Sequence, residues 1–305
     1  MSFLHATGIY SSDEEFLRIV LPFIGEGLDA GEPVAVAFTT DNQNLVREVF
    51  GDRVTYVDAM EQYDRPAGTI RRSRELFEEY VAAGATQIRM AGDVPAFRLS
   101  GAWDWWARYE AAVNELYDDY PVRAICAYDT RITSARILAE VRRTHPYVAS
   151  ADGSKANPAF EDPRTFLERR RSGWRDPLEA TPPAGDLRDP DAAAARRAIS
   201  PAASGTDLTS DELNGLLVGG SEAISNAIVH GRPPVTVQLW AGPHRIVVVV
   251  RDAGPGPADP YVGLRPMPGV LTGGMGLWLT HQLCGYVDMV REPAGFTVRL
   301  VAGEP

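Results

Sequence analysis

Lysine is nearly missing from this sequence. Lys155 is the only one among 305 residues, and almost all the remaining positive charge is arginine. A Walker A loop needs Gly-Lys-Ser/Thr, whereas Lys155 sits in Gly153-Ser154-Lys155-Ala156, so P-loop nucleotide chemistry is excluded. A Schiff-base lysine enzyme is disfavoured on the same ground. Cysteine is scarce too: Cys126 and Cys284 are too few for a disulfide framework. Basic residues are in deficit, 30 against 41 acidic, and the net charge of -11 disfavours non-specific binding to nucleic acid or anionic lipid. No apolar run approaches the ~18–20 residues that span a bilayer. The opening Met1-Ser2-Phe3-Leu4-His5 has neither the charged nor the apolar region of a secretory signal. The expectation is a cytoplasmic protein with no direct nucleic-acid partner and no membrane partner.

What is present is ample apolar material. Hydrophobic residues make up 45% of the chain, and at roughly 150 residues per domain the length fits two domains. The first half alternates short apolar strands (7–10, 33–38, 54–57, 86–90, 122–128) with amphipathic helices (14–30, 41–50, 70–83, 103–117, 132–143). That alternation predicts an α/β domain, a parallel-rich sheet covered on both faces. Over about 151–190 the chain turns rich in Pro, Gly, Asp and Arg, with one helical stretch at 163–171, and reads as a linker. The second half has helices at 192–199 and 210–230, strands at 234–240 and 246–251, a helix at 276–283, and a hairpin over 286–291 and 296–301. This order predicts an α+β domain with helices on one face of an antiparallel sheet. The expected boundaries are 1–160, a linker at 161–186, and 187–305.

Three motifs in the second half carry chemistry. The first is Glu222-Ala-Ile-Ser-Asn226-Ala-Ile-Val-His230. At 100° per residue, Leu213, Leu217, Gly220, Ile224 and Ile228 form the expected buried stripe, with Glu222, Asn226 and His230 on the far side. A carboxylate and an amide one turn apart suit a general base and a hard cation; an ordinary solvated helix face has the same pattern. The second is Arg251-Asp252-Ala253-Gly254-Pro255-Gly256 after a β-branched run. Its carboxylate can accept from an exocyclic amine and its glycines admit a ring, or it is simply a turn leaving a strand. The third is Thr272-Gly273-Gly274-Met275-Gly276-Leu277-Trp278, a glycine-rich loop opening a helix. Such a loop is an anion site at a helix N-terminus, or a flexible connection. Its spacing fails the dinucleotide fingerprint Gly-x-Gly-x-x-Gly.

Taken together, the order and context of the three motifs resemble the N, G1 and G2 boxes of the GHKL (histidine-kinase-like) ATPase superfamily, in its short anti-sigma-factor-kinase form. The resemblance covers about 187–301. It implies a Bergerat-fold site for ATP and Mg²⁺: Glu222 as catalytic base, Asn226 as metal ligand, Asp252 as adenine reader, Gly254 and Gly256 beside the ring, and Gly274, Gly276 and Leu277 at the phosphates. The stretch 257–271 would be the lid. No helical hairpin carrying a phospho-acceptor histidine precedes Ser210. The expected activity is therefore ATP-dependent serine phosphorylation of a partner, an anti-anti-sigma (STAS-type) protein, with a sigma factor as a further partner. A non-catalytic ATP-dependent sequestering protein and an atypical sensor histidine kinase remain alternatives, and a homodimer is an allowed assembly.

In the first half, His5-Ala-Thr-Gly-Ile-Tyr10, Asp13-Glu14-Glu15-Phe16, Gly25-Glu26-Gly27-Leu28, Cys126-Ala-Tyr128-Asp129 and His145-Pro146 resemble the MEDS (methanogen/methylotroph) sensory domain. That resemblance covers about 4–160. It implies a RecA/KaiC-like fold without nucleotide hydrolysis, and a small-molecule signal bound there. His5 and Cys126 make a candidate ligand or metal pair, but two ligands are too few for a structural zinc site, so both read as core residues. Trp103, Trp105 and Trp106 read mainly as packing, with an apolar sensory pocket as the other reading.

Overall fold

The computed structural model describes residues 3–93, 103–169, 175–202, 204–265 and 275–303. The chain divides into two compact units, Met1–Arg169 and Arg170–Pro305. Among the described residues, no helix is long and apolar enough to cross a membrane.

The first unit runs β1 (Leu4–Tyr10), α1 (Asp13–Asp29), β2 (Val34–Ala37), α2 (Thr40–Phe50), β3 (Thr55–Tyr56), α3 (Ala59–Gln62), α4 (Pro66–Ala82), β4 (Ile88–Gly92), α5 (Trp103–Leu116), β5 (Val122–Asp129), α6 (Ala135–Thr144), β6 (Tyr147–Ser150), β7 (Gly153–Ala156) and α7 (Pro163–Arg169). The strands form one sheet in the order β3-β2-β4-β5-β1-β6-β7. Every pairing is parallel except the β6–β7 hairpin at the edge. This is the expected parallel-rich α/β architecture. Central strands such as β2 are buried along their length, because helices cover both faces of a parallel sheet. Side chains start several helices: Ser12 caps α1 and Ser134 caps α6 by accepting a backbone N–H. Trp103, Trp105 and Trp106 are all buried, and Trp103 Nε1 donates to Glu140 Oε2 at 2.6 Å. The tryptophans thus belong to the packing between helices, as the packing reading expects.

The second unit runs β8 (Gly185–Arg188), α8 (Ala192–Ala202), α9 (Ser210–Val229), β9 (Thr236–Gly242), β10 (Arg245–Asp252), α10 (Gly276–Leu283), β11 (Tyr286–Glu292) and β12 (Gly295–Gly303). Its strands pair antiparallel in the order β11-β12-β10-β9-β8. Alternation along β10 sends Ile246, Val248 and Val250 toward α8 and α9, where they meet Ile199, Leu216, Ala223 and Ile224. Val247 and Val249 point the other way and pack with Trp240 and Val301 under Leu178. Leu178 lies in a 3-10 turn, Pro177–Ala180, inside the stretch read as linker. From the same turn, Glu179 Oε1 accepts from Arg299 Nε at 2.6 Å in a sealed ion pair. The antiparallel sheet is therefore covered on its second face too.

Helix α9 differs from expectation in its rotation. Thr209 and Glu212 form a capping box at its start, as the sequence pattern Thr-x-x-Glu provides. The buried face is Leu216, Gly219, Gly220, Ala223, Ile224 and Ala227, whereas Ile228, placed in the predicted stripe, is 53% exposed. Hydropathy overweighted Ile228 and ignored the small residues. A Cβ on Gly215 would meet the Leu283 carbonyl, and one on Gly219 the Cys284 sulfur, so glycine lets the end of α10 seat directly on α9.

Candidate functional site

Rotation of α9 brings Glu222 and Asn226 to the flank of the buried face rather than to the side opposite it; both are half-buried. Asn226, Ala223 and Ala227 from α9 form one wall of a cavity of about 360 Å³. Val250, Asp252, Phe296 and Val298 form its floor, because residues at even positions of β10 and β12 face the helices. Gly256, Pro257 and Val262 close one side, and Leu277 from the first turn of α10 another. The walls are mainly apolar with few polar groups, the usual character of a small-molecule pocket, and the volume lies in the ~300–1,000 Å³ range of such pockets.

Asp252 is the buried carboxylate of this cavity, 9% exposed. Its Oδ1 accepts from Gly254 N at 2.6 Å and from Arg232 N at 3.2 Å. Its Oδ2 makes no hydrogen bond among the described residues. One oxygen is thus fixed by backbone donors, and the other is available for a donor inside the cavity. Gly254 serves Asp252 through that N–H, and its Cα packs on Gly231 too closely for a side chain. Gly256 has φ +66, and a Cβ there would strike the Phe296 ring that lines the cavity. Glycine is therefore required at 256 by both conformation and space.

Glu222 stands one turn before Asn226 on α9 and does not line the cavity itself. Its carboxylate lies against Gly276, the first residue of α10. A carboxylate at a helix N-terminus is electrostatically favoured, and α10 has no side-chain cap of its own. Of the residues singled out in the sequence, Asn226, His230, Asp252, Gly256 and Leu277 share the cavity, while Glu222, Gly254 and Gly276 stand next to residues that line it. Gly274 and part of the expected lid at 257–271 lie outside the described residues. Sequence reading missed the apolar walls Ala223, Ala227, Val298 and Phe296; the signal for the first two was the small residue following each of Glu222 and Asn226, and for the last two the strand alternation of β12.

In the first unit His5 and Cys126 do meet: His5 Nε2 is 3.4 Å from Cys126 Sγ. Two further residues join them. Glu110 Oε2 is 3.4 Å from His5 Nε2 and 3.3 Å from His145 Nε2. Burial, together with the neighbouring His145, pushes the His5 imidazole down to about 4. Burial raises the Glu110 carboxyl, but His145 and His5 outweigh it and hold the group well below the usual carboxylate range.

Comparison with known proteins finds a family match in each half of the chain. Residues 4–146 match the MEDS family, described as the MEthanogen/methylotroph, DcmR Sensory domain. Residues 187–302 match the histidine kinase-like ATPase domain family. The transcriptional repressor DcmR of Methylorubrum extorquens is 24% identical over 155 residues, which cover 46% of this chain and 57% of that protein. The chain thus matches little more than half the length of that curated relative. Among solved structures, the RsbU and RsbW domains of Rv1364c from Mycobacterium tuberculosis align with 14% identity over 68% of this chain and 46% of that one, at a TM-score of 0.28. A mycobacterial sensor histidine kinase, MprB, aligns with 24% identity over 30% of this chain and 73% of that one, at a TM-score of 0.24. By these family matches, the chain joins a domain of the MEDS sensory family to a domain of the histidine kinase-like ATPase family.

Proposed function

We propose that this chain is a signal-responsive, cytoplasmic regulator whose second unit binds Mg·ATP and phosphorylates serine on a partner, an anti-anti-sigma protein of STAS type. The observation that carries this reading is the Asp252 carboxylate, with Oδ1 fixed by two backbone donors and Oδ2 left to a cavity of ring-accommodating size. An adenine amine is a donor that such an acceptor fits, and Val250, Val298 and Ala227 are suitable faces for the ring. The domain bounds in this reading are a RecA/KaiC-like sensory domain at 1–160, a connection at 161–186, and a Bergerat-type ATPase at 187–305.

The residue roles follow from position. Asn226 offers an amide oxygen suited to Mg²⁺, a hard cation that takes oxygen ligands. Bound Mg²⁺ supplies charge neutralisation at the phosphates. Gly276 and Leu277 open α10 and offer backbone N–H groups to an anion, and Gly274 is assigned the same phosphate role from its sequence motif alone. Glu222 takes the proton of the serine hydroxyl as that oxygen bonds to the γ-phosphorus, and ADP leaves with the electrons of the broken P–O bond. Transfer to a partner, rather than to the chain's own histidine, follows from the sequence pattern, in which no acceptor-bearing helical hairpin precedes Ser210; His5 and His145 are buried in the first unit, whereas His230 and His244 are exposed.

The test is radiolabelled ATP with the full chain and a STAS-type partner. Acid-stable label on the partner supports serine transfer. Acid-labile label supports the histidine route, and no label with retained nucleotide binding supports a sequestering protein.

A further inference from the structure

We propose that His5, Glu110, Cys126 and His145 form a buried four-coordinate site for a divalent cation of the zinc class. One donor atom from each side chain lies within 4.8 Å of every other. Metal–ligand bonds of about 2.0–2.3 Å at tetrahedral angles separate donor atoms by about 3.3–3.7 Å. Three of the six separations are 3.3, 3.4 and 3.4 Å and the other three stay within 4.8 Å, so half of the shell is already at the spacing a cation needs and the rest closes with a small side-chain shift.

The outer hydrogen bonds point the donors inward. His5 Nδ1 is 3.2 Å from Asn114 Oδ1, and His145 Nδ1 is 2.8 Å from the Val141 carbonyl. Both acceptors want the proton on Nδ1, which leaves the Nε2 lone pair of each ring facing the cluster. Tyr128 donates its hydroxyl to Glu110 Oε1 at 2.6 Å and leaves Oε2 directed the same way. Such outer partners are what fix tautomer and orientation around bound metal ions. Among the described residues, Glu110 Oε2 and His145 Nε2 are sealed from solvent and have no well-aligned hydrogen bond. They lie 3.3 Å from each other without hydrogen-bond alignment, an arrangement that a cation between them would satisfy.

Charge points the same way. A carboxylate and a thiolate with two neutral imidazoles carry two negative charges, which one dication cancels. The thiol proton passes to solvent as the cation binds. Cys126 is the one partly buried residue of the four. The ligands come from β1, α5, β5 and the residue after α6, so an ion there ties the two central strands to two covering helices. With four protein donors the site is closed, which suits holding or sensing rather than hydrolysis.

The test uses the full chain, stripped with chelator and titrated with cobalt(II) and then zinc(II) in the absence of nucleotide. The expected result is one equivalent of cobalt with the intense visible bands of four-coordinate geometry and a thiolate-to-cobalt band in the near ultraviolet. Zinc should displace it and raise the melting temperature. Cys126→Ser should lose the thiolate band, and Cys284→Ser should keep it, which secures the assignment even if the first variant folds poorly. Asn114→Ala should weaken zinc binding by about 10- to 100-fold. A spectrum like that of aqueous cobalt, or a thiolate band lost in Cys284→Ser instead, would overturn the proposal.

Discussion

The Glu222 carboxylate lies directly against Gly276, leaving no room for a Cβ at that position. One residue belongs to the middle of α9 and the other opens α10, so two motifs far apart in sequence meet at one point. Gly276→Ala should therefore push the Glu222 carboxylate aside, at a cost of about 1 kcal/mol or less because the obstructing oxygen ends a flexible side chain. In the background Glu222→Ala the same change should cost much less, because the obstructing group is gone. Denaturant melts of the two single variants and the double variant measure this coupling, and simple additivity would contradict the contact.

Chemistry and binding should separate along α9. Glu222→Ala should retain nucleotide while phosphoryl transfer falls by about 10²–10⁴-fold, the contribution of a general base. Asn226→Ala should lose the Mg²⁺-dependent part of binding as well. Equilibrium binding and single-turnover transfer on the same protein distinguish them.

The observed rotation of α9 has a direct stability test. Leu216 is fully buried and Ile228 about half exposed. Leu216→Ala should cost about 2–5 kcal/mol, while Ile228→Ala should stay near ~0.5 kcal/mol. Chemical denaturation checks both; the reverse order would restore the hydropathy-based stripe.

Sheet type and most of the element order were legible because they follow from local periodicity, whereas β6, β7 and β8 were missed because these short strands, at or beside a sheet edge, carry no long apolar run. Buried β2 and β5 read as parallel-sheet strands, and Asp252 fell on the cavity face because strand alternation has a period of two. The α9 face was misread because glycine and alanine mark close helix approach without adding hydropathy. The covering turn Pro177–Ala180 was hidden in Pro-rich composition, since it works through one leucine and one glutamate. Glu110 and His145 joined His5 and Cys126 only in three dimensions; a lone carboxylate in the apolar stretch Tyr109–Val113 was the trace left in sequence.

Asp93 should shape the pH dependence of the first unit. Burial pushes its carboxyl up to about 6, against the opposing hydrogen bonds from Thr39 and Asn42. The folded state then holds a proton that the unfolded state has already released between pH ~4 and 6. Stability contributed by Asp93 is greatest at the acid end of that window and falls as pH rises through 6, by roughly 3 kcal/mol. The difference in unfolding free energy between wild type and Asp93→Ala, followed from pH 4 to 7, should carry this slope. A flat difference would show that Asp93 titrates normally.

The most direct measurement is a calorimetric titration of the full chain with Mg·ATP, repeated with Asp252→Asn. The account predicts one nucleotide bound per chain, and a loss of about 1.5–3 kcal/mol in the variant, since its amide cannot reproduce a carboxylate that accepts on both oxygens. Unchanged affinity in Asp252→Asn, in a variant that melts like wild type, would contradict the assignment of this cavity as the adenine site.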